Sequence, residues 1–392
     1  MRIHQTILTA ADAAVFTPPA GPAPQLVLAF AAPAFFSGDG IDDLLARLRA
    51  AWPDAVIAGC SSAGEIAGAL VYDGRCVLNA LSFEHTAVRA AAGVLATMAD
   101  SAAAGAALAA QLPHQGLAAV LLLGVGVAVN GSALVAAFEQ GLPPGVPVSG
   151  GLAADGGAFR RTWTIGPGGR ADDQVVAVGL YGERLALGHG SFGGWQPFGP
   201  ARKITRATGN VLHQLDGERA LDIYRRYLGD YAAGLPASGL LFPFELQGGA
   251  QQSSSPQGAG VIRTILGMDE ADGSLVLAGD VPVDGYLRLM HADTERLIDG
   301  AETAARRALA AAARAPAPVG ERLAILVSCV GRRLVMGDRI DEEVEAVAAM
   351  LGDVPGGVLT GFYSNGEIAA PAPGTPSLLH NQTMTITLLG EY

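Results

Sequence analysis

An eight-residue frame occurs twice in this chain, and it restricts the folds open to it. Gly361-Phe362-Tyr363-Ser364-Asn365-Gly366-Glu367-Ile368 repeats the plan of Gly59-Cys60-Ser61-Ser62-Ala63-Gly64-Glu65-Ile66: a glycine, four residues, then Gly-Glu-Ile. Each copy follows an apolar, strand-like run and precedes another. Its glycines therefore mark a sharp turn at a sheet edge, where backbone and polar side chains are presented.

The flanks repeat as well. Before the first frame, Gln25 to Ala31 reads as a buried strand; Ile41, Leu44, Leu45, Leu48 and Trp52 recur at helical spacing; Ala55 to Ala58 is a second strand. Arg75 to Glu84 follows as a third. Before the second frame come Leu323 to Ser328, then the stripe Ile340, Val344, Val347 and Leu351, and after it a strand over Thr383 to Leu389. Asp39 stands 20 residues ahead of Gly59, and Asp338 stands 23 ahead of Gly361. Matching order and spacing point to duplication.

A weaker third copy fills the middle: a strand over Ala118 to Val125, a helix opened by Asn130-Gly131-Ser132, then Gly150-Gly151-Leu152-Ala153-Ala154-Asp155-Gly156 and a strand over Gln174 to Tyr181. There the Gly-Glu pair is replaced by Asp155-Gly156. The expected fold is α/β, with duplicated strand-helix-strand-turn-strand units forming mixed sheets flanked by helices, in two domains, 1–215 and 216–392. Around the division, Lys203 to Ala207 reads as an edge strand, and Asp216 as the N-cap of a helix carrying Leu221, Tyr224, Leu228 and Tyr231. Gln247 to Gly260 reads as a mobile loop, and Asp293 or Thr294 as the cap of a long Ala-rich helix.

Composition excludes some functions. A formal charge of −12, from 25 basic and 37 acidic residues, argues against nucleic acid or an anionic membrane as partner and favours a small molecule or a protein. Cys60, Cys76 and Cys329 lie far apart without metal-site spacing, which fits a reducing cytoplasm. No signal peptide is expected at the N-terminus, and the longest apolar run, Leu117 to Val129, falls short of the roughly 20 residues that span a bilayer.

The candidate ligand-binding residues are Ser61, Ser62, Glu65, Tyr363, Asn365 and Glu367 in the frames, Arg332 and Arg333 past a strand end, and His380 and Asn381. A carboxylate beside exposed backbone N–H groups offers the polarity that an amino acid needs, and a guanidinium suits a carboxylate. The alternative for each Glu is to satisfy turn amides. Catalytic signals are thin: Gly59 to Gly64 only approximates G-x-S-x-G, so a Ser or Cys hydrolase is the weakest reading, and no catalytic residue is assigned. A non-covalent haem would need an axial donor such as His85, His189, His213 or His380.

The two frames, with Ser328-Cys329-Val330-Gly331-Arg332-Arg333 and His380-Asn381-Gln382-Thr383, make the chain resemble the FIST proteins, which join an N-terminal and a C-terminal FIST domain. The likeness runs from about Leu26 to Leu389. It implies ligand sensing in signal transduction, with amino acids the usual class, and in some members a haem-based response to nitric oxide that acts on histidine kinases or cyclic-di-GMP enzymes. This chain shows no kinase, receiver or cyclase segment, so its output would pass through a separate partner. Homo-oligomerisation is left open.

Overall fold

A computed structural model describes every residue except 20, 236, 249–259, 353–355 and 373. Three units of one design make up the fold. The first comprises β1 (Arg2–Leu8), α1 (Ala10–Val15), β2 (Leu26–Ala31), α2 (Gly40–Ala51), β3 (Val56–Ser61), β4 (Glu65–Ala67), β5 (Leu70–Tyr72) and β6 (Cys76–Ser82). The second comprises β7 (Ala87–Val94), α3 (Ser101–Ala109), β8 (Leu117–Gly124), α4 (Gly131–Gln140), β9 (Val148–Leu152), β10 (Thr164–Gly166), β11 (Gly169–Ala171) and β12 (Gln174–Tyr181).

The third unit opens with β13 (Leu185–Phe192) and is then interrupted by an insert: β14 (Gln196–Pro197), β15 (Arg202–Thr208), β16 (Val211–Leu215), β17 (Glu218–Arg219), α5 (Ala220–Leu228), β18 (Phe244–Gln247), β19 (Val261–Arg263), β20 (Ile265–Asp269), β21 (Ser274–Leu277) and β22 (Tyr286–His291). It resumes with α6 (Thr294–Ala312), β23 (Arg322–Cys329), α7 (Val330–Met336), α8 (Asp341–Leu351), β24 (Gly357–Ser364), β25 (Gly366–Ala369), β26 (Leu378–His380) and β27 (Met384–Glu391).

Each unit pairs its strands alike. The central strand runs parallel to the strand after its helix and antiparallel to the closing strand: β2 with β3 and β6, β8 with β9 and β12, β23 with β24 and β27. The opening strand lies on the far side of the closing one: β1 on β6, β7 on β12, β13 on β27. The strand after each glycine turn leaves its unit. β4 joins β24, β25 joins β9, and β10 joins β3, which closes a ring of exchanges among the three sheets.

The ring is sealed by three equivalent hydrogen bonds. Ala63 N–H donates to Tyr363 O at 2.9 Å, Asn365 N–H to Leu152 O at 3.0 Å, and Ala154 N–H to Ser61 O at 2.9 Å. These residues occupy matching places in the three turns, so the middle copy has the full architecture despite losing Gly-Glu. The first glycine of each turn has a steric reason. A Cβ on Gly59, Gly150 or Gly361 would lie 1.9, 2.0 or 1.8 Å from the carbonyl oxygen of Ala29, Leu122 or Leu326 on the neighbouring strand.

Alternation along the central strands builds two kinds of core. Leu26, Leu28, Phe30, Leu121, Leu123, Ile325 and Val327 face a shared centre with Phe362. The intervening Val27 and Ala29 pack beneath α2, Val120 and Leu122 beneath α4, and Leu326 beneath α8. A sheet buried on both faces explains the unbroken apolar runs. Burial of each large apolar side chain contributes about 1.5–3 kcal/mol.

The insert departs from expectation in three places. β15 is no edge strand, because β16 and β22 pair on its two sides. Asp216 does not cap α5, whose N-cap is Arg219. Asp216 sits instead in a tight turn at φ 51°, where its carboxylate accepts from Lys203 N–H and from Arg202. Tyr231 lies past the helix and is 58% exposed. Asp293 caps α6 by accepting from Arg296 N–H at 3.0 Å. The loop read over Gln247 to Gly260 falls almost wholly outside the described residues.

Candidate functional site

The glycine turns end the parallel strands at their carboxyl ends, where open α/β sheets hold ligands. Both glutamates are buried there, each accepting from the serine of its own turn and from a residue beyond that turn. Ser62 Oγ donates to Glu65 Oε1, and Arg75 N–H donates to Oε2 at 2.9 Å. Ser364 Oγ donates to Glu367 Oε1 at 2.6 Å, while Thr383 donates through N–H and Oγ1 to Oε2 at 3.1 and 2.9 Å. Burial pushes each carboxyl up to about 7, against the opposing pull of these hydrogen bonds. β4 and β25, which carry Glu65 and Glu367, belong to different sheets, each one strand in from an edge.

In the middle copy Asp155 accepts from the N–H groups of Phe159, Arg160 and Arg161 and folds the following loop. Ser61 is closed in the same way, its Oγ accepting from Trp163 N–H at 2.9 Å.

Arg332 and Arg333 lie on α7. Arg332 is fully buried and paired with Glu343 through Nε at 3.0 Å and Nη2 at 2.6 Å, and it also donates to Gly193 O and Leu297 O. Glu343 accepts further from Ser328 Oγ at 2.9 Å and Tyr363 Oη at 2.6 Å. The guanidinium thus fastens α8, α6 and the end of β13 to the third sheet. Arg333 donates to Ala63 O and to Asp73 at 2.7 Å, and its guanidinium lies over the Tyr363 ring. Glu343 gives a faint sequence signal: it shares the buried face of α8 with Val347, one turn on.

A second polar group is not closed. Asn365 Oδ1, Asn381 Oδ1, Gln382 Oε1 and Thr264 Oγ1 are buried with no hydrogen-bond partner among the described residues. Asn365 lies in the turn of the third unit, Asn381 and Gln382 just ahead of β27, and Thr264 in the insert between β19 and β20. Asn365 Nδ2 donates to Gly126 O at 3.2 Å, past the end of β8. Gln382 Nε2 donates to Leu240 O of the insert at 2.8 Å, and the backbone carbonyl of Gln382 accepts from Trp195 Nε1 at 2.7 Å. Arg263 Nη1, beside Thr264, reaches Leu379 O at 3.2 Å.

The backbone there is unusual too. Gln382 has φ 62°, and Ala128, in the loop that Asn365 contacts, has φ 57°. Such conformations are costly for side-chain-bearing residues and collect at ligand sites. His380 adjoins the group, with Nε2 3.0 Å from Ala369 O and a pKa lowered to about 4 by burial. Gln382 and Thr264 add to the candidates that the sequence offers. Gln382 stood inside the polar run 380–385, whereas Thr264 had no signal, because the insert brings it across the fold.

The histidines divide similarly. His85 Nε2 is 3.1 Å from Arg184, and His213 pairs with Asp272 at 3.4 Å. His189 Nδ1 is 3.2 Å from Thr387 Oγ1, while its Nε2 is buried without a hydrogen-bond partner among the described residues.

With this geometry in view, the FIST N domain matches residues 25–218, and the FIST C domain matches residues 220–370. The chain belongs to the FIST family. FIST domains are sensory modules for small-ligand binding in signal transduction. Both matched segments meet in the hairpin that pairs β16 with β17, and β4 of the first is built into the sheet of the second. An uncharacterized protein of Methanocaldococcus jannaschii is 33% identical over 90 residues, covering 22% of this chain and 17% of its own length.

Two solved structures overlay weakly. A cyanuric acid hydrolase from A. caulinodans does so at 12% identity and a TM-score of 0.35, covering 100% of this chain and 98% of its own. PurLQS from Thermotoga maritima does so at 10% identity and 0.22, covering 78% and 72%. At those scores neither overlay bears on the fold or chemistry of this FIST protein. Among the described residues no helix is long and apolar enough to cross a membrane.

Proposed function

We propose that this FIST protein senses a small polar metabolite rich in N–H donors, an amino acid or an amide, bound among Asn365, Asn381, Gln382 and Thr264. The observation that carries the reading is the set of buried oxygens at these residues that lack donors. An unsatisfied buried acceptor costs about 1–3 kcal/mol. A ligand ammonium or amide would supply the missing donors and recover part of that cost. The strained backbone at Gln382 and the position at the carboxyl ends of β8 and β24 support the same place.

Binding there would tie the insert to the three-unit core, so that occupancy shifts the balance between arrangements of the two. A separate partner, such as a histidine kinase or a cyclic-di-GMP enzyme, would read that shift. Ser61, Ser62, Glu65 and the Arg332 pair act in this reading as the frame around the site. No catalytic role is assigned: the two serines beside carboxylates, Ser62 with Glu65 and Ser364 with Glu367, are wholly buried, and burial raises the thiols of Cys60 and Cys329.

The test is thermal unfolding of the protein against a panel of amino acids and small amides. Ligand at 100 times its dissociation constant adds about 2.7 kcal/mol. Failure of every compound to raise the transition of folded protein contradicts the reading. A haem-bound nitric oxide sensor is the second reading, and it rests on His189 Nε2 alone. The fit is partial: Gly188 and Gly190 pack on α6, and His189 has the opposite face of β13, beside Leu187 and the shared core. A Soret band that moves with nitric oxide would favour it, and failure to take up added haem would dismiss it.

A further inference from the structure

A cavity of about 460 Å³ opens between α6, α8 and the third sheet. It lies far from the polar group described above. Arg322, Leu323 and Leu359 stand at the starts of β23 and β24, whereas the glycine turn follows their ends. At about 3.3 Å per residue, these eight-residue strands put roughly 20 Å between the two places.

The cavity has the composition of a site for an amphiphile. Its lining is aliphatic, with Leu309, Leu351 and Leu388 among the contributors, and Arg322 is the one charged residue among the described residues that line it. Arg322 Nε is buried and has no hydrogen-bond partner among the described residues, nor does Arg322 form a described ion pair. Its neighbour in sequence, Glu321, is directed elsewhere and accepts from Ile3 N–H. Ala313 and Ala317, both exposed, mark the mouth just beyond α6.

We propose that this cavity binds a monocarboxylate with an extended apolar tail, the carboxylate on the Arg322 guanidinium and the tail between α6 and α8. Pockets of this size, dominated by apolar walls and fixed by a few polar groups, are typical of small-ligand sites. A guanidinium is the side chain best shaped to hold a carboxylate through two parallel hydrogen bonds. The competing account has Arg322 merely covering apolar surface with its stem while its head stays in water.

Titration calorimetry on the full chain separates the two, with decanoate and decanol as probes below their aggregation limits. Decanoate binds the wild type, Arg322→Met weakens it by about tenfold or more, and decanol binding is unchanged by that substitution. Ala313→Trp, placed at the exposed mouth without touching Arg322, abolishes binding of both. Asn381→Leu leaves both intact, so the outcome is independent of the polar site. Absence of decanoate binding, equal affinity in Arg322→Met, or retained binding in Ala313→Trp would overturn the proposal. Thermal unfolding of each variant establishes that it is folded.

Discussion

Two buried polar groups hang from the same glycine turn of the third unit, and they differ in closure. Around Arg332 the side chains of Glu343, Ser328 and Tyr363 and the carbonyls of Gly193 and Leu297 complete one another. Asn365 in the same turn, and Asn381 and Gln382 just ahead of β27, leave three side-chain carbonyl oxygens without donors among the described residues. A polar group closed on itself stabilises one arrangement of the fold. Under the proposed function, one left open takes its donors from a bound ligand.

The largest expected effect comes from breaking the closed group. Arg332→Met should destabilise the protein by about 3–5 kcal/mol, because Glu343 would be left buried and unpaired. Arg332→Met with Glu343→Leu should recover much of that loss in denaturant melts. A double variant no better than the single one would show that the backbone contacts of Arg332 outweigh the ion pair.

Glu367 tests closure by pH. Its folded carboxyl titrates at about 7, above its ordinary value of 4.5. The protonated form is thus favoured by folding: its contribution is complete below pH 4.5 and is lost as pH rises to about 7, an effect of roughly 3 kcal/mol at most. Stability of wild type should therefore fall between pH 5 and 8 by more than that of Glu367→Gln, which stays neutral. Parallel pH profiles for the two would place the carboxyl in water instead of in the core.

Next in size is the equivalent turn of the second unit. Gly150→Ala drives a Cβ against Leu122 O in the copy without Gly-Glu, and it should cost about 1–3 kcal/mol or more, as overpacking does. An unchanged melting temperature would mean that the middle unit is dispensable to the ring.

Much of this architecture was written in the sequence. The apolar stripe of α2 and the runs of β2, β8 and β23 showed the units, because a sheet covered on both faces demands unbroken apolar strands. The frames showed the turns, since only glycine fits opposite Ala29 and Leu326. Three features escaped. The exchange of β4, β10 and β25 among sheets depends on long-range pairing that no local pattern encodes. Arg332 looked available because its partner, Glu343, lies one helix away. Thr264 joined the open group only through the docking of the insert. Asp216 misled, since an Asp before an apolar stripe signals a cap as well as a turn.

The smallest expected stability change belongs to the open group, and it carries the central claim. Asn381→Leu removes an unsatisfied oxygen and should shift stability by no more than about 1 kcal/mol. The decisive measurement is thermal unfolding of wild type and Asn381→Leu side by side across the amino-acid and amide panel. The open group predicts a compound that raises the transition of wild type and leaves the equally folded Asn381→Leu unmoved. Equal shifts in both proteins would contradict it.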